Sequence, residues 1–480
     1  MIAPRTFIRQ GLRRCLAVGV LISAPALADL IEFSDGDPAS AQEVNQNFDA
    51  VMAAIADVLP SRVIPVSADA GAETLNQIVD AITDSSAENP YTILLGPGTH
   101  TLTETLSLPV GINLRGMGAA VSAIECSSCT TVLELSSAAS TTLSDLSIGS
   151  TQLAGGVLKV ISVPTVQGVN TVGQLIIERV NIFAEAPNAA QIFGLWVEGT
   201  LSTLKLDRVN VEGSAAQNVT GIYAQGQNTR VFLNQFNVDI ENAQVAYGIQ
   251  LGSNGDTGPY KVEANSVNVR SNDVSQAYGF IIDDGLVSLK GIDINLRGSV
   301  SGIGLDVRTL SSGTIENFIV DVQYFVASNK GVLLVDNSVS LADGRVVAGG
   351  GASRNEGIVF SGPKHSSNDR IMKNVIVEAK GPGNSSAHST IAVTIVATDN
   401  RYLNITDSFF IGNRACGDVD CYAYVQSLSC TNGCFTTFVN TGFKSLVPVA
   451  LPNNTGFRCL LSYDNYSRDV LESDCTRPEN

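Results

Sequence analysis

The chain has 480 residues, 44% of them hydrophobic, with 44 glycines, 16 prolines and only 6% aromatics, which is enough to bury a substantial core. Its formal net charge of −17 argues against nucleic acid as a partner, because neutralising phosphates requires a basic surface. The same acidity repels a polyuronate unless Ca2+ bridges the two sets of carboxylates, so no cofactor is called for and Ca2+ is the one the composition leaves room for.

Residues 1–28 read as a secretory signal peptide. Arg5, Arg9, Arg13 and Arg14 form a basic segment, Leu16 to Leu27 an apolar one, and Ala26-Leu27-Ala28 a small-x-small cleavage site. The apolar run is short for a bilayer and is interrupted by Pro25, which weighs against a membrane anchor. Cys15 precedes the apolar run and so is not a lipoprotein cysteine. A mature chain starting at Asp29 is four positive charges poorer and keeps no long apolar run. The expectation is a secreted protein, extracellular or periplasmic, with no membrane span after cleavage.

Residues 29–60 carry a helix. Ser40 and Glu43 are spaced as a capping box, and Pro60 supplies the stop. Val44, Phe48, Val51, Ile55 and Val58 advance by alternating steps of four and three, the spacing of a coiled-coil seam. Two heptads do not associate unaided, so the seam either joins copies held together by the body behind it or lies against that body. A second helix follows from Leu75, Ile78, Val79 and Ile82, which share one face.

From "NPYTILLGPGTHTLTETLSLPVGINLRGMG" onward, strand-like runs are punctuated by glycine and proline. An apolar-polar-apolar core then recurs at Leu146, Val180, Val209, Phe236, Val267, Ile292, Phe318, Arg345, Val375 and Phe409, spaced 25 to 34 residues apart. A strand led by glycine also occurs once per unit, at Gly194, Gly221, Gly248, Gly279, Gly304, Gly331 and Gly357. Such an irregular period suits stacked coils of short strands whose loops vary in length. In "LNQFNVDIENAQVAYGIQL" the alternation puts Phe236, Val238, Ile249 and Leu251 inside, and Asn237, Asp239 and Gln250 outside.

The pattern resembles secreted proteins of the pectin-lyase-like group, in which a helix covers the open first coil. The resemblance implies an all-β fold: a right-handed parallel β-helix solenoid over residues 61–415, with short N-terminal helices and a disulfide-rich C-terminal cap over 416–480. Eight of the nine cysteines follow the cleavage site in close pairs, predicting disulfides Cys126 to Cys129, Cys416 to Cys421, Cys430 to Cys434 and Cys459 to Cys475.

For function the resemblance is thinner. Polygalacturonases of this fold carry Asn-x-Asp, Asp-Asp, Gly-His-Gly and Arg-x-Lys motifs; only Asn237-Val238-Asp239 and Asp283-Asp284 match in form, and His100, His365 and His388 are scattered. Asp283, Asp284 and Asp239 are therefore the catalytic candidates, although Asp283-Asp284 also sits where a strand meets a turn. Asn181, Asn210, Asn237, Asn268 and Asp293 recur at one outward position, which predicts an amide ladder. Beside them Glu212, Asp239, Arg270, Asn295 and Asp321 form an acidic column suited to Ca2+ or sugar hydroxyls.

Trp196, the only tryptophan, and Tyr223 point outward one coil apart, with Glu198, Gln225 and Gln250 nearby, which predicts a carbohydrate-binding strip. The seam at Val44 to Val58 and the outward apolar residues Ile281, Leu333 and Val359 predict a homotrimer. The leading functional expectation is a non-catalytic surface or matrix protein that binds a polysaccharide or cell-surface glycan. The alternative is a polysaccharide-degrading enzyme, a glycoside hydrolase or polysaccharide lyase.

Overall fold

A computed structural model describes residues 62–464 apart from 69–71, 137–139, 152–154, 166–172, 200, 226–228, 253–260, 309–310, 336–337, 351–353, 362–369, 382–388, 397–401, 412–420, 428–434, 445–446, 451–455 and 461–462. The signal peptide, the Val44 to Val58 seam, His365 and His388 lie outside the described residues, as does at least one cysteine of each predicted C-terminal disulfide. Among the described residues, no helix is long and apolar enough to cross a membrane.

Helix α1, Ala72–Ala81, buries Leu75 and Val79 and rests Ile78 and Ile82 against the core, packing on strands Gly98–Leu102 and Leu106–Leu108. Every strand pairing that follows is parallel, and each strand meets its counterpart one coil away, which is the next strand in sequence where a single strand makes up a whole coil. Strands Lys261–Asp283 and Leu286–Arg308 are two whole coils, in register from Lys261 opposite Leu286 to Asp283 opposite Arg308. Each runs along a first face, bends, continues along a second, and turns into the glycine-led third. The fold is thus a parallel β-helix whose core is the column of inward side chains, among them Phe236, Phe280 and Phe318.

The bend between first and second faces is one residue in the left-handed conformation, repeated coil after coil: Asp145, Arg179, Arg208, Gln235, Ser266, Asn317, Asp343, Asn374, Asp407 and Asn440 have φ between 49° and 59°, and Gly291 has 66°. Short polar side chains tolerate that conformation, and Asx residues lead the column accordingly. The bend corrects two positions of the sequence alignment. Inward positions follow Asp343 and Asp407, so Gly344 and Ser408 occupy them, and Arg345 and Phe409 point outward. The apolar pattern misled because Gly344 has no side chain there: a Cβ would lie 2.2 Å from the Phe318 ring that fills the space. Ser408 is buried by donating to Thr406 O at 2.9 Å and accepting from Val375 N at 3.2 Å.

The repeated glycine of the third face has a steric cause. A Cβ on Gly304 would stand 2.2 Å from Val320 Cγ1 of the second face and 2.6 Å from the carbonyl oxygen of Gly331, the next glycine in the column. The same two obstacles recur at Gly221, Gly248, Gly279 and Gly331, with Val238, Val269, Ile294 and Val346 as the intruding side chains. Two faces approach across the core at these points, and only hydrogen fits between them.

Parallel pairing does not stop at the expected boundary near 415. Strands Cys421–Ser427, Phe435–Val439 and Gly456–Leu460 continue it, the last pairing with the one before. Cys126 and Cys129 are bonded as expected, with Cα atoms 5.6 Å apart. Ile281 and Val359, expected to face a neighbouring copy in a trimer, are only 3% and 5% exposed in the single chain, so they do not form an exposed apolar strip with Leu333.

The asparagine column does form hydrogen bonds. Asn210 Nδ2 donates to Asn181 Oδ1 at 2.9 Å, and Asn237 Nδ2 donates to Asn210 Oδ1 at 2.7 Å. A second ladder, Asn265 to Asn234 to Asp207, runs on the first face with distances of 3.1 and 2.5 Å. In both, the later coil donates to the earlier one. Asn268 Oδ1 is buried with no partner, because the register places Asp293 opposite it and a carboxylate has no N–H to offer. Asn210→Ala breaks the first ladder in the middle and is expected to cost about 1–2 kcal/mol, read by denaturant unfolding; Asp293→Asn supplies the missing donor and is expected to stabilise.

Candidate polysaccharide cleft and carboxylate cluster

Outward positions of the third face align in columns from coil to coil, with Ile281 and Asp306 covered. Strand Gln191–Val197 buries Ile192, Leu195 and Val197, leaving Phe193 and Trp196 outside. Register then places Trp196 beside Tyr223, Tyr223 beside Gln250, Gln250 beside Ile281 and Ile281 beside Asp306. The neighbouring column runs Lys159, Phe193, Thr220, Tyr247, Tyr278.

These columns frame a cleft of about 340 Å³ lined by Gln191, Phe193, Trp196, Glu198, Asn218, Thr220, Tyr223, Tyr247 and Gln250. Trp196, Glu198, Tyr223 and Gln250 therefore stand together as the sequence suggested; Gln225, whose backbone N–H bonds Val197 O at 2.7 Å, does not line the cleft. The expected open aromatic platform needs correction. The Lys159 ammonium sits over the Trp196 ring, and Phe193 stacks on the same indole with centroids 5.8 Å apart and an interplanar angle of 22°. Tyr247 and Tyr278 stack on each other at 4.8 Å and 8°. The aromatic residues thus spend ring faces on one another and on Lys159.

Lys159 was missed because its strand, Val157–Val163, has Val160 in the place the leading glycine takes elsewhere. Burial lowers the pKa of Lys159, and Glu198 and Glu134 act against that fall. Burial raises the pKa of Tyr223, and Glu198 adds to it.

On the same face lies a charged cluster. Arg308 donates from Nε and Nη2 to Asp306 Oδ2 at 2.9 and 2.6 Å, and its Nε stands 3.7 Å from Asp283 Oδ1. Asp306 is 1% exposed, and its Oδ1 has no hydrogen-bond partner among the described residues. Asp283 is more open. Burial pushes its carboxyl above the usual aspartate range; Arg308 opposes that, and the nearby Asp306 charge reinforces it.

The other catalytic candidates do not join Asp283. Asp284 takes the left-handed turn that leaves this face, with φ of 60°. Asp239 is on the second face, where with Glu185, Glu212 and Glu241 it borders a separate acidic groove. The register partner of Asp283 is Arg308 of the next coil, with Asp306 diagonal to it, an arrangement that no adjacent-residue motif could reveal. His100 is buried far along the chain in the first coils, its Nε2 3.2 Å from Gly96 O, and burial lowers its pKa. Among the described residues, no three or more of His, Cys, Asp and Glu are grouped so as to hold a metal ion.

No protein-family model matches the chain, and no curated protein matches it in sequence. Several solved structures are similar in shape. The A-module of a mannuronan C-5 epimerase from Azotobacter vinelandii is 12% identical, with a TM-score of 0.38 over 82% of this chain and 94% of that one. A periplasmic alginate epimerase is 8% identical, with a TM-score of 0.36 over 83% of each chain. The catalytic unit of a thermostable α-1,3-glucanase from Streptomyces thermodiastaticus is 14% identical, with a TM-score of 0.33 over 88% of this chain and 71% of that one. The likeness is one of fold, the right-handed parallel β-helix.

Proposed function

We propose that the chain is a polysaccharide-acting enzyme, which seats a glycan along the third face and uses Asp283 for proton transfer to or from it. One observation carries this: the aromatic cleft ends at Tyr247 and Gln250, and a half-buried carboxylate of raised pKa stands on the next coil of the same face. A chain of sugars is the ligand shape that spans such a face, with Tyr223 and Tyr247 offering hydroxyls and ring edges and Gln250 an amide. A carboxyl whose pKa is pushed upward suits general acid–base work near neutral pH. Arg308 and Asp306 position it: the Arg308–Asp306 pair is itself anchored by two hydrogen bonds and sets the field at Asp283.

The second reading, a non-catalytic glycan binder, is favoured by the Arg308–Asp306 pair, since two hydrogen bonds and burial of Asp306 are what a purely structural ion pair beside the cleft would also show. Retention on immobilised polysaccharides separates the readings when combined with product analysis. The parent protein is expected to be retained and to release new reducing ends, and Tyr223→Ala to weaken retention about tenfold. Retention without products in any condition would leave a binder, and equal retention by the Tyr223 variant would remove the cleft from the account.

A further inference from the structure

The strands of the third face carry four cations among the described residues: Lys159, Arg308, Lys330 and Arg354. Every one of them faces carboxylates of its own chain. Arg308 is bound to Asp306 and close to Asp283. Arg354 Nη2 lies 2.7 Å from Glu356 Oε1, and Lys330 Nζ lies 3.9 Å from Glu356 Oε2. Lys159 is within the electrostatic reach of both Glu198 and Glu134 and covers the Trp196 ring. Among the described residues, a uronic acid or sulfated sugar laid on these strands would find no cation that is not already shared, and Glu198 borders the cleft itself.

Resting on the reading of the third face as a glycan seat, we infer that the ligand is a polysaccharide free of carboxylate and sulfate groups, and that the reaction on it is hydrolysis. Elimination or epimerisation removes a proton beside a sugar carboxylate, and that step needs the carboxylate's charge to be neutralised by a protein cation or by a bridging Ca2+, for which no three of His, Cys, Asp and Glu are grouped among the described residues. Here Arg308 is paired with Asp306, Arg354 and Lys330 with Glu356, and Lys159 lies in the field of Glu198 and Glu134. Hydrolysis has no such requirement. The glycosidic C1–O bond breaks as the Asp283 carboxyl gives its proton to the leaving oxygen; a water oxygen bonds to C1, and the water's surplus proton restores the carboxyl through solvent. The upward-shifted pKa of Asp283 keeps more of it in the proton-bearing form this step uses.

The test sets cello-, xylo-, laminari- and malto-oligosaccharides against oligogalacturonate and oligomannuronate, at low ionic strength, following both binding and products. Binding of at least one neutral series with new reducing ends, and uronate binding weaker by about tenfold or more, is the expected result. Uronates bound more tightly than any neutral series, or unsaturated uronides among the products, would overturn the inference while leaving the seat intact. No binding of any probe would overturn the seat and the inference together. In Glu198→Gln, Lys159 loses one of its two carboxylates, and oligogalacturonate binding is expected to rise about tenfold. No rise would show that internal pairing is not what excludes anions.

Discussion

Asp283→Asn is expected to lower turnover by about a hundredfold or more while raising thermal stability at neutral pH. The activity loss follows from removing the group that transfers the proton, an effect of about 10²–10⁴ in general acid–base catalysis. The stability gain follows from the direction of the pKa shift. Burial raises the folded-state pKa of Asp283 above its unfolded value, so folding favours the protonated form. The favourable contribution is fully present below the unfolded pKa and is lost as pH rises through the folded one. At pH 7 the parent protein therefore holds a charge its surroundings disfavour, and a neutral amide relieves it. An apparent Tm about 1–2 °C higher at pH 7, with no gain below the aspartate range, is the expected outcome. Lower stability at both pH values would mean that the Asp283–Arg308 contact outweighs the burial. Unchanged turnover would remove Asp283 from the chemistry.

Gly304→Ala is expected to destabilise the solenoid by about 3 kcal/mol, the upper part of the range for overpacking a closed core. The added methyl meets Val320 Cγ1 at 2.2 Å and a backbone carbonyl at 2.6 Å, and the carbonyl cannot rotate away without breaking the ladder between coils. Combining it with Val320→Ala removes the first obstacle and is expected to recover part of the loss, the remainder measuring the carbonyl contact. The contrast is Ala392, which takes the glycine position at the top of the column and is accommodated there. Ala392→Gly is expected to cost no more than about 1 kcal/mol. Equal losses at both sites, followed by denaturant unfolding, would show that the glycines serve chain flexibility and not close approach.

Much of this architecture is written locally. The two-residue alternation that buries Phe236, Val238, Ile249 and Leu251 is a property of one strand and needs no partner to be read. The glycine column was visible as a repeat, although its cause, a valine entering from another face, was not. Where a coil departed from the pattern, the local signal failed: Gly344 and Ser408 went unrecognised because an absent side chain and a hydroxyl satisfied by its own backbone both look polar in sequence.

The site is different in kind. Asp283 and Asp306 are 23 residues apart in sequence and diagonal neighbours in space, and Lys159 reaches Trp196 from the preceding coil. Which residues meet in that way depends on the register between coils, and register is decided by the length of each intervening turn. Turn lengths vary from coil to coil, so equal spacing in sequence does not imply stacking. Burial of charge is likewise a collective property: Asp306 is enclosed and Asp283 half open because of what surrounds the strand, not because of the strand. By itself the sequence determined the solenoid and the outward placement of Trp196, Tyr223 and Gln250, since alternation and steric exclusion act within a few residues. Only the stacked tertiary structure decided that Asp283 stands beside Arg308 and the Asp306 that Arg308 binds, and that each cation on the described strands of the third face is already engaged, since Coulomb interaction acts through space across coils.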